Sequence, residues 1–335
     1  MTGRRVAATA VLTLVAVLPL GPGATGAQGA THQKIATSSA TTTSSIPSSL
    51  PGTSGTVTVK RWNSPARTVV SDNLGVVAVL TDGSRTVTLR GPARVFSEST
   101  TTARVSHGTW VRLLPAAFTG SVDWAWLAAR LSDISPDVLA VAMQYVTGAP
   151  TVLNAAAFKI AGDASYGPLS STGTRIEGSD FNDYLGVAWS YPGSTDQPEA
   201  DQINALDCSG FIRMVLGYRS GLPLTLTADG VSLPRRAVQM ADSAPGVLVI
   251  ANKGTRPTDL TGLRPGDLVF FDASTDDGTA IDHVGMYLGT DSAGAPRFVS
   301  SRKTVDGPTM GDLGGKSTLT GTGLYSKSLR SARRV

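Results

Sequence analysis

The pattern of apolar and polar positions changes character several times along the chain. Residues 6–20 (VAATAVLTLVAVLPL) form an unbroken apolar run closed by Pro19 and Pro22. Residues 28–55 (QGATHQKIATSSATTTSSIPSSLPGTSG) are rich in Ser, Thr and Pro with little to bury, which predicts a disordered tether. From 56 to about 118, runs such as TVTVKRW, GVVAVLTDG and ARVSHGTWVRLL alternate Val and Thr with polar residues. Asp-Gly and Gly-Pro turns separate them, as expected of short half-buried strands. Two helical stretches follow, VDWAWLAARLSD and SPDVLAVAMQYVTG. The second opens on Ser135-Pro136-Asp137, a good N-terminal signal, and closes at Gly148.

The second half is marked more sharply. FNDYLGVAWSY (181–191) reads as a helix or helix end, and PGSTDQPEAD as a loop. LDCSGFIRMVLGYRSG starts a helix in which Phe211, Ile212, Val215 and Leu216 recur at the spacing of one buried face. Strands are expected at 246–252, 266–272, 283–289 and 296–301, joined by tight turns such as Arg264-Pro265-Gly266-Asp267. Helix first and strands after predicts an α+β fold, an antiparallel sheet packed by helices, preceded by a small β-rich N-terminal module. The module with its two helices is placed at 56–150 and the second domain at 151–335, although the helices fit either side of that boundary. The basic end YSKSLRSARRV reads as a solvated tail. The Gly-rich stretch before it, which lacks a phosphate-loop pattern, reads as a loop over or beside a site.

Charge and composition add a destination. Arg4 and Arg5 precede the apolar run, and GPGATGAQGA supplies small residues after it, so residues 1–27 read as a signal peptide. The run is shorter than the roughly 20 residues that span a bilayer. The expected product is secreted or cell-wall associated, with no stable membrane insertion. Without Arg4 and Arg5 the net charge falls from +4 to 4 − 2 = +2, and no compact Lys/Arg run points to nucleic acid. Asp276, Asp277 and Asp282 share one loop without ligand spacing and read as solvated, so neither a metal nor another cofactor is expected.

In an exported protein the single cysteine, Cys208, is an inert buried thiol, half of an intermolecular bridge, or a nucleophile. Asp207 can cap the helix that follows, and Ser209-Gly210 permits close backbone approach. That setting puts Cys208 at the helix tip, where the dipole favours a thiolate. A nucleophile needs a base. His32 lies in the tether and His107 in the β-rich module, whereas His283 opens a strand of the cysteine's own domain.

DCSGFIRMVL, LRPGDLVFFD and DHVGMYLG, in that order over roughly 180–305, resemble the NlpC-type cell-wall peptidases, papain-like cysteine hydrolases acting on peptidoglycan. The resemblance implies a circularly permuted papain-like core, with peptidoglycan as partner and cleavage of stem-peptide amides beside D-glutamate and a diamino acid. Cys208 matches the nucleophile and His283 the general base. The position that orients the histidine, usually His, Asn or Gln, falls on Ser300, or on Ser301 with a one-residue shift. There a serine hydroxyl or a main-chain carbonyl would accept from the imidazole Nδ1–H, with less electrostatic help than a carboxylate. Tyr191 is the nearest match to a tyrosine that lines the site, and Asp207 and Ser209 flank the nucleophile on the substrate side. Alternatives are an N-acetylmuramoyl amidase or transacylase using the same dyad, and a degenerate wall-binding protein without catalysis.

Overall fold

A computed structural model describes residues 46–335. The expected signal peptide and residues 28–45 of the tether lie outside the described residues. The far end of the tether is ordered against the module. Leu50 is buried, the Ser54 N–H donates to Asp72 at 2.7 Å, and Arg90 reaches the Gly52 carbonyl at 3.0 Å. The disorder expected over 28–55 does not hold for its last residues, because the Leu50 side chain belongs to the module's core.

Strands β1 (Thr58–Trp62), β2 (Arg67–Asp72), β3 (Gly75–Thr81), β4 (Thr86–Phe96) and β5 (Val105–Leu113) form an antiparallel sheet in chain order. Val70, Leu80, Val87 and Leu89 pack on Leu127 of α1 (Trp124–Leu131), whose N-cap Asp123 accepts the Trp126 N–H. Helix α2 (Val138–Ala142) is shorter than its periodicity predicts. Its cap is Asp137 rather than Ser135, and Arg94 (2.7 and 2.6 Å) and the Val111 N–H (2.6 Å) hold the same carboxylate. After Ala142 the chain tightens into a 3₁₀ turn at Met143–Tyr145.

The described residues form one compact unit, so the boundary expected at 150/151 is not a gap. Helix α1 packs with the module, whereas Leu139 and Ala142 of α2 share a core with Phe211 and Met286. Phe96, Val105 and Val111 of the module enter that core too.

Two small hairpins, β6 (Val152–Leu153) with β7 (Lys159–Ala161) and β8 (Trp189–Tyr191) with β9 (Ser194–Asp196), flank α3 (Phe181–Leu185). Helix α4 (Cys208–Ile212) continues through wider π turns at Arg213–Tyr218, and α5 (Ala237–Ser243) follows. Then come β10 (Val247–Ile250), β11 (Leu268–Phe271), β12 (His283–Thr290), β13 (Pro296–Arg302), β14 (Gly307–Thr309), α6 (Leu324–Ser328) and β15 (Leu329–Arg334). Their antiparallel sheet runs β10-β15-β11-β12-β13-β14. The chain is thus α+β, as its pattern of elements predicts.

Strand periodicity explains why this sheet is buried on both sides. Leu268, Phe270, Val284 and Met286 face α4. Val269, Phe271, Tyr287 and Phe298 face the opposite way, onto Leu329 and Tyr325. Each such side chain contributes about 2 kcal/mol of burial.

The basic end is not a solvated tail. Residues 329–334 are an inner strand, and both of its last arginines are buried. Arg333 donates to the Ala241 and Ala244 carbonyls, both at 2.9 Å. Arg334 forks onto Asp267 with two 2.8 Å bonds and reaches Thr81 at 3.0 Å. Asp267 belongs to the turn whose Gly266 has φ +93°, a conformation that favours glycine. No helix among the described residues is long and apolar enough to cross a membrane.

Candidate active site

The site forms where β12 and β13 part company. Their pairing runs from Thr290↔Pro296 to Met286↔Val299 and ends there, while β13 continues alongside β14. The start of α4 wedges into the split. Cys208 Sγ lies 3.9 Å from the Asp282 carbonyl and receives the Val284 N–H, two groups that continued pairing would have given to β13. Across the wedge, Ser301 Oγ donates to the Leu206 carbonyl at 2.5 Å. The sulfur thus sits against the edge of β12 at residue 283.

Local sequence builds the wedge. Asp207 caps α4 by accepting the Gly210 N–H at 2.7 Å. A Cβ at Gly210 would lie 2.2 Å from the Ser179 carbonyl oxygen, so only glycine lets the helix tip approach that backbone. His283 is buried between the Phe271 and Tyr325 rings, at centroid distances of 5.9 and 5.0 Å. Its Nε2 lies 3.0 Å from Ser300 Oγ. Of the two serines considered for that role, Ser300 is the one beside the ring, because Ser301 points to the opposite side of β13. The nitrogen engaged is Nε2 rather than the expected Nδ1, so Nδ1 is the nitrogen that Ser300 leaves free.

A cysteine at a helix tip, wedged against a sheet strand that begins on a histidine, is the papain-like arrangement. The family model described as "NlpC/P60 family" matches residues 186–306, which span Cys208, His283 and Ser300. Residues 186–306 are NlpC/P60 in family. This family is one of cell-wall peptidases.

Three solved structures illustrate the likeness. A lipoprotein-like NLP/P60 protein of Staphylococcus aureus subsp. aureus Mu50 is 22% identical over 66% of this chain and 50% of its own, with a TM-score of 0.27. This chain thus spans about half the length of that protein. NlpC2 of Trichomonas vaginalis is 13% identical over 83% of each chain, with a TM-score of 0.30. An NlpC/P60 protein of Bacillus cereus ATCC 10987 is 14% identical over 83% and 78%, with a TM-score of 0.28. No curated protein matches.

Electrostatics in the NlpC/P60 segment run against the expectation of a helix-tip thiolate. Burial pushes the Cys208 thiol up, Asp207 adds to that, and the Val284 N–H and Arg235 only partly offset it. Burial, reinforced by Arg302, pushes His283 down to about 3, with Asp207 opposing. Desolvation outweighs the dipole of a five-residue helix, so at rest the pair is neutral thiol and neutral imidazole.

The cleft above the sulfur encloses about 690 Å³ and is lined by Asp207, Cys208 and Ser209 together with Tyr166, Glu177 and Arg235. A smaller recess of about 240 Å³ continues to His283, Arg302 and Tyr325, sharing Tyr166, Glu177 and Lys303 with the first. The Gly-rich stretch contributes Gly314 and its following Tyr325 to this recess, beside the histidine.

Asp207 and Ser209 both lie at the cleft but are tied to Arg235, which donates to Asp207 at 2.8 Å and to Ser209 Oγ at 2.7 Å. Burial alone would lower the Arg235 pKa; Asp207 and Asp180 hold it above its usual value. Tyr191 does not line the site. Its hydroxyl is bound to the guanidinium of Arg213 in the core, because the β8–β9 hairpin turns it inward. The tyrosine at the cleft is Tyr166, whose phenol is pushed up by burial and by the nearby sulfur. Nothing near Tyr166 in sequence marks it, and its place depends on the Ser165–Leu206 backbone pairing that brings its loop to α4.

Asp282 precedes the histidine but caps a turn, accepting the Ala273 and Ser274 N–H groups at 2.8 and 2.7 Å. Its carboxylate gathers with those of Asp272 and Asp277 within 4.8 Å, while Arg330 holds Asp272 at 3.0 Å.

Proposed function

We propose that this chain is a secreted or wall-associated cysteine endopeptidase that hydrolyses peptidoglycan stem-peptide amides, near D-glutamate and a diamino acid. The observation that carries the reading is the wedge that sets Cys208 Sγ against β12 at His283, with Nε2 of that ring on Ser300. In the reaction His283 takes the Cys208 proton at Nδ1, and the sulfur attacks the scissile carbonyl. The Cys208 backbone N–H at the helix tip helps to hold the oxyanion. The imidazolium returns its proton to the leaving amine, and water releases the acyl group.

The cleft suits an amphoteric peptide. Arg235, Arg236 and Lys303 can meet carboxylates, and Glu177, Asp276 and Asp277 can meet a free amine. Purified muropeptides incubated with the protein should yield fragments cut within the stem, read by mass spectrometry. Cys208→Ala should abolish that cleavage while leaving the circular dichroism spectrum intact. Retained cleavage in the variant would sink the reading, and products cut at the sugar–peptide bond would point to an amidase.

A further inference from the structure

Arg302 ends β13, two residues beyond Ser300, and is almost wholly buried. Its Nε–H donates to Ser300 Oγ at 3.1 Å. Its remaining donors reach the Leu313 carbonyl (3.4 Å), the Gly315 carbonyl (2.5 Å) and Ser317 Oγ (2.5 Å), all of them neutral acceptors. The guanidinium lies over the Tyr325 ring at 4.4 Å, the same ring that flanks His283.

Hydrogen accounting at Ser300 then has one satisfactory solution. A hydroxyl has one hydrogen and two lone pairs, and a guanidinium can only donate. Arg302 occupies one lone pair, and His283 Nε2 is the other partner of Ser300 Oγ. If Nε2 carried a hydrogen, Ser300 would accept twice and its own hydrogen would be left unpaired in a fully buried site. If the hydroxyl donates to a bare Nε2, all three groups are satisfied, as buried polar groups require. The positive charge on Arg302 strengthens that donation.

We infer that Arg302, acting through Ser300, is a positioning residue that holds the resting His283 ring with its proton on Nδ1. In that tautomer the nitrogen left for the sulfur already carries a hydrogen and cannot take the Cys208 proton. To become a base, the ring must gain a proton at Nε2 from solvent and release the one on Nδ1 to solvent. The imidazolium between those steps lies beside a fixed positive charge. The pair is therefore restrained at rest by its own framework.

The groups around the ring are Asp207, the N-cap of α4, Asp282 before it, Arg302 of β13 and Tyr325 of α6, with Cys208 Sγ on the neighbouring Asp282 carbonyl. Tyr166 and the Glu177–Lys303 pair complete the cleft wall. Burial pulls the Arg302 guanidinium down to about 10, with Tyr325 opposing, so it stays charged at neutral pH. The inference rests on the Cys208–His283 reading above, but its test needs no substrate and can fail separately.

The test combines ¹⁵N NMR of the His283 ring with the pH profile of Cys208 alkylation by iodoacetamide, in wild type, Arg302→Lys and Arg302→Gln. Wild type and the charge-conserving Arg302→Lys should show the Nδ1–H signature and slow alkylation. The Gln side chain can accept the Ser300 hydrogen, so Arg302→Gln should give an Nε2–H ring and about tenfold faster alkylation at pH 7. Ser300→Ala, which leaves the guanidinium in place, should also abolish the Nδ1–H preference and serves if Arg302→Gln does not fold. An Nε2–H ring in wild type would overturn the inference. So would ring shifts and alkylation rates unchanged in both Arg302→Gln and Ser300→Ala.

Discussion

His283 is buried among apolar rings and beside a guanidinium, and its basicity falls to about 3 from an ordinary 6.5. Between those two values the unfolded chain binds a proton that the folded chain does not. The neutral ring's stabilising share is present in full above pH 6.5 and is lost as the pH falls toward about 3. Lowering the pH from about 7 to about 5 should therefore cost the wild type about 2 kcal/mol more than His283→Gln. Urea unfolding of both proteins at the two values measures this, and equal losses would show a ring charged in the folded state.

Cys208 and His283 were legible at this scale because a helix cap and a strand start are local patterns. Arg302 was not, since its meaning depends on an acceptor set drawn from Ser300 and from the loop at Leu313–Ser317. Tyr191 misled for the same reason, being near in sequence while its hydroxyl belongs to Arg213.

Among elements, α4 and α3 are coupled through a buried ion pair. Arg213 Nε holds Asp180 at 2.9 and 3.0 Å, and its other donors reach the Thr225 and Leu233 carbonyls at 2.6 and 2.8 Å. Asp180 also caps α3 and lies 3.4 Å from Arg235, which ties in turn to Asp207. Removing one member of such a pair strands the other charge. Asp180→Ala should destabilise the fold by about 3–5 kcal/mol, measurable as a lower urea midpoint. An unchanged midpoint would mean that Arg213 is satisfied by its carbonyls alone.

Apolar periodicity disclosed β10 to β13, four strands of the main sheet, to within a few residues, because burial on both faces writes a continuous apolar run, as in Leu268–Phe271. It overran α2, where the captured carboxylate of Asp137 fixes the start and the 3₁₀ turn at Met143–Tyr145 takes the place of the end.

For the whole molecule, the last strand adds a polar tie between the module and the rest of the fold. Ser84 Oγ and the Arg85 and Thr86 N–H groups donate to the Val335 carbonyl, at 2.8, 3.1 and 2.7 Å. Arg334 links β15 to Asp267 and to Thr81 of β3. Calorimetry of the purified protein should show one unfolding transition. Arg334→Ala, which leaves Asp267 buried without its partner, should destabilise the fold by about 3 kcal/mol. Two resolved transitions in the wild type would contradict this coupling. The basic sequence of β15 concealed its role, because charged residues are read as solvated unless their acceptors, here Asp267 and the α5 carbonyls, are known.

The inner position of β15 also orders events in time. A chain emerging from its N-terminus presents β10 and β11 well before Leu329–Arg334, and these two strands have no bond to each other without it. Both wait with unpaired edges, while the module is complete far earlier. The sheet that carries His283 therefore closes only after residue 334 has emerged, so a chain halted before that point has its cysteine but no finished sheet to set it against.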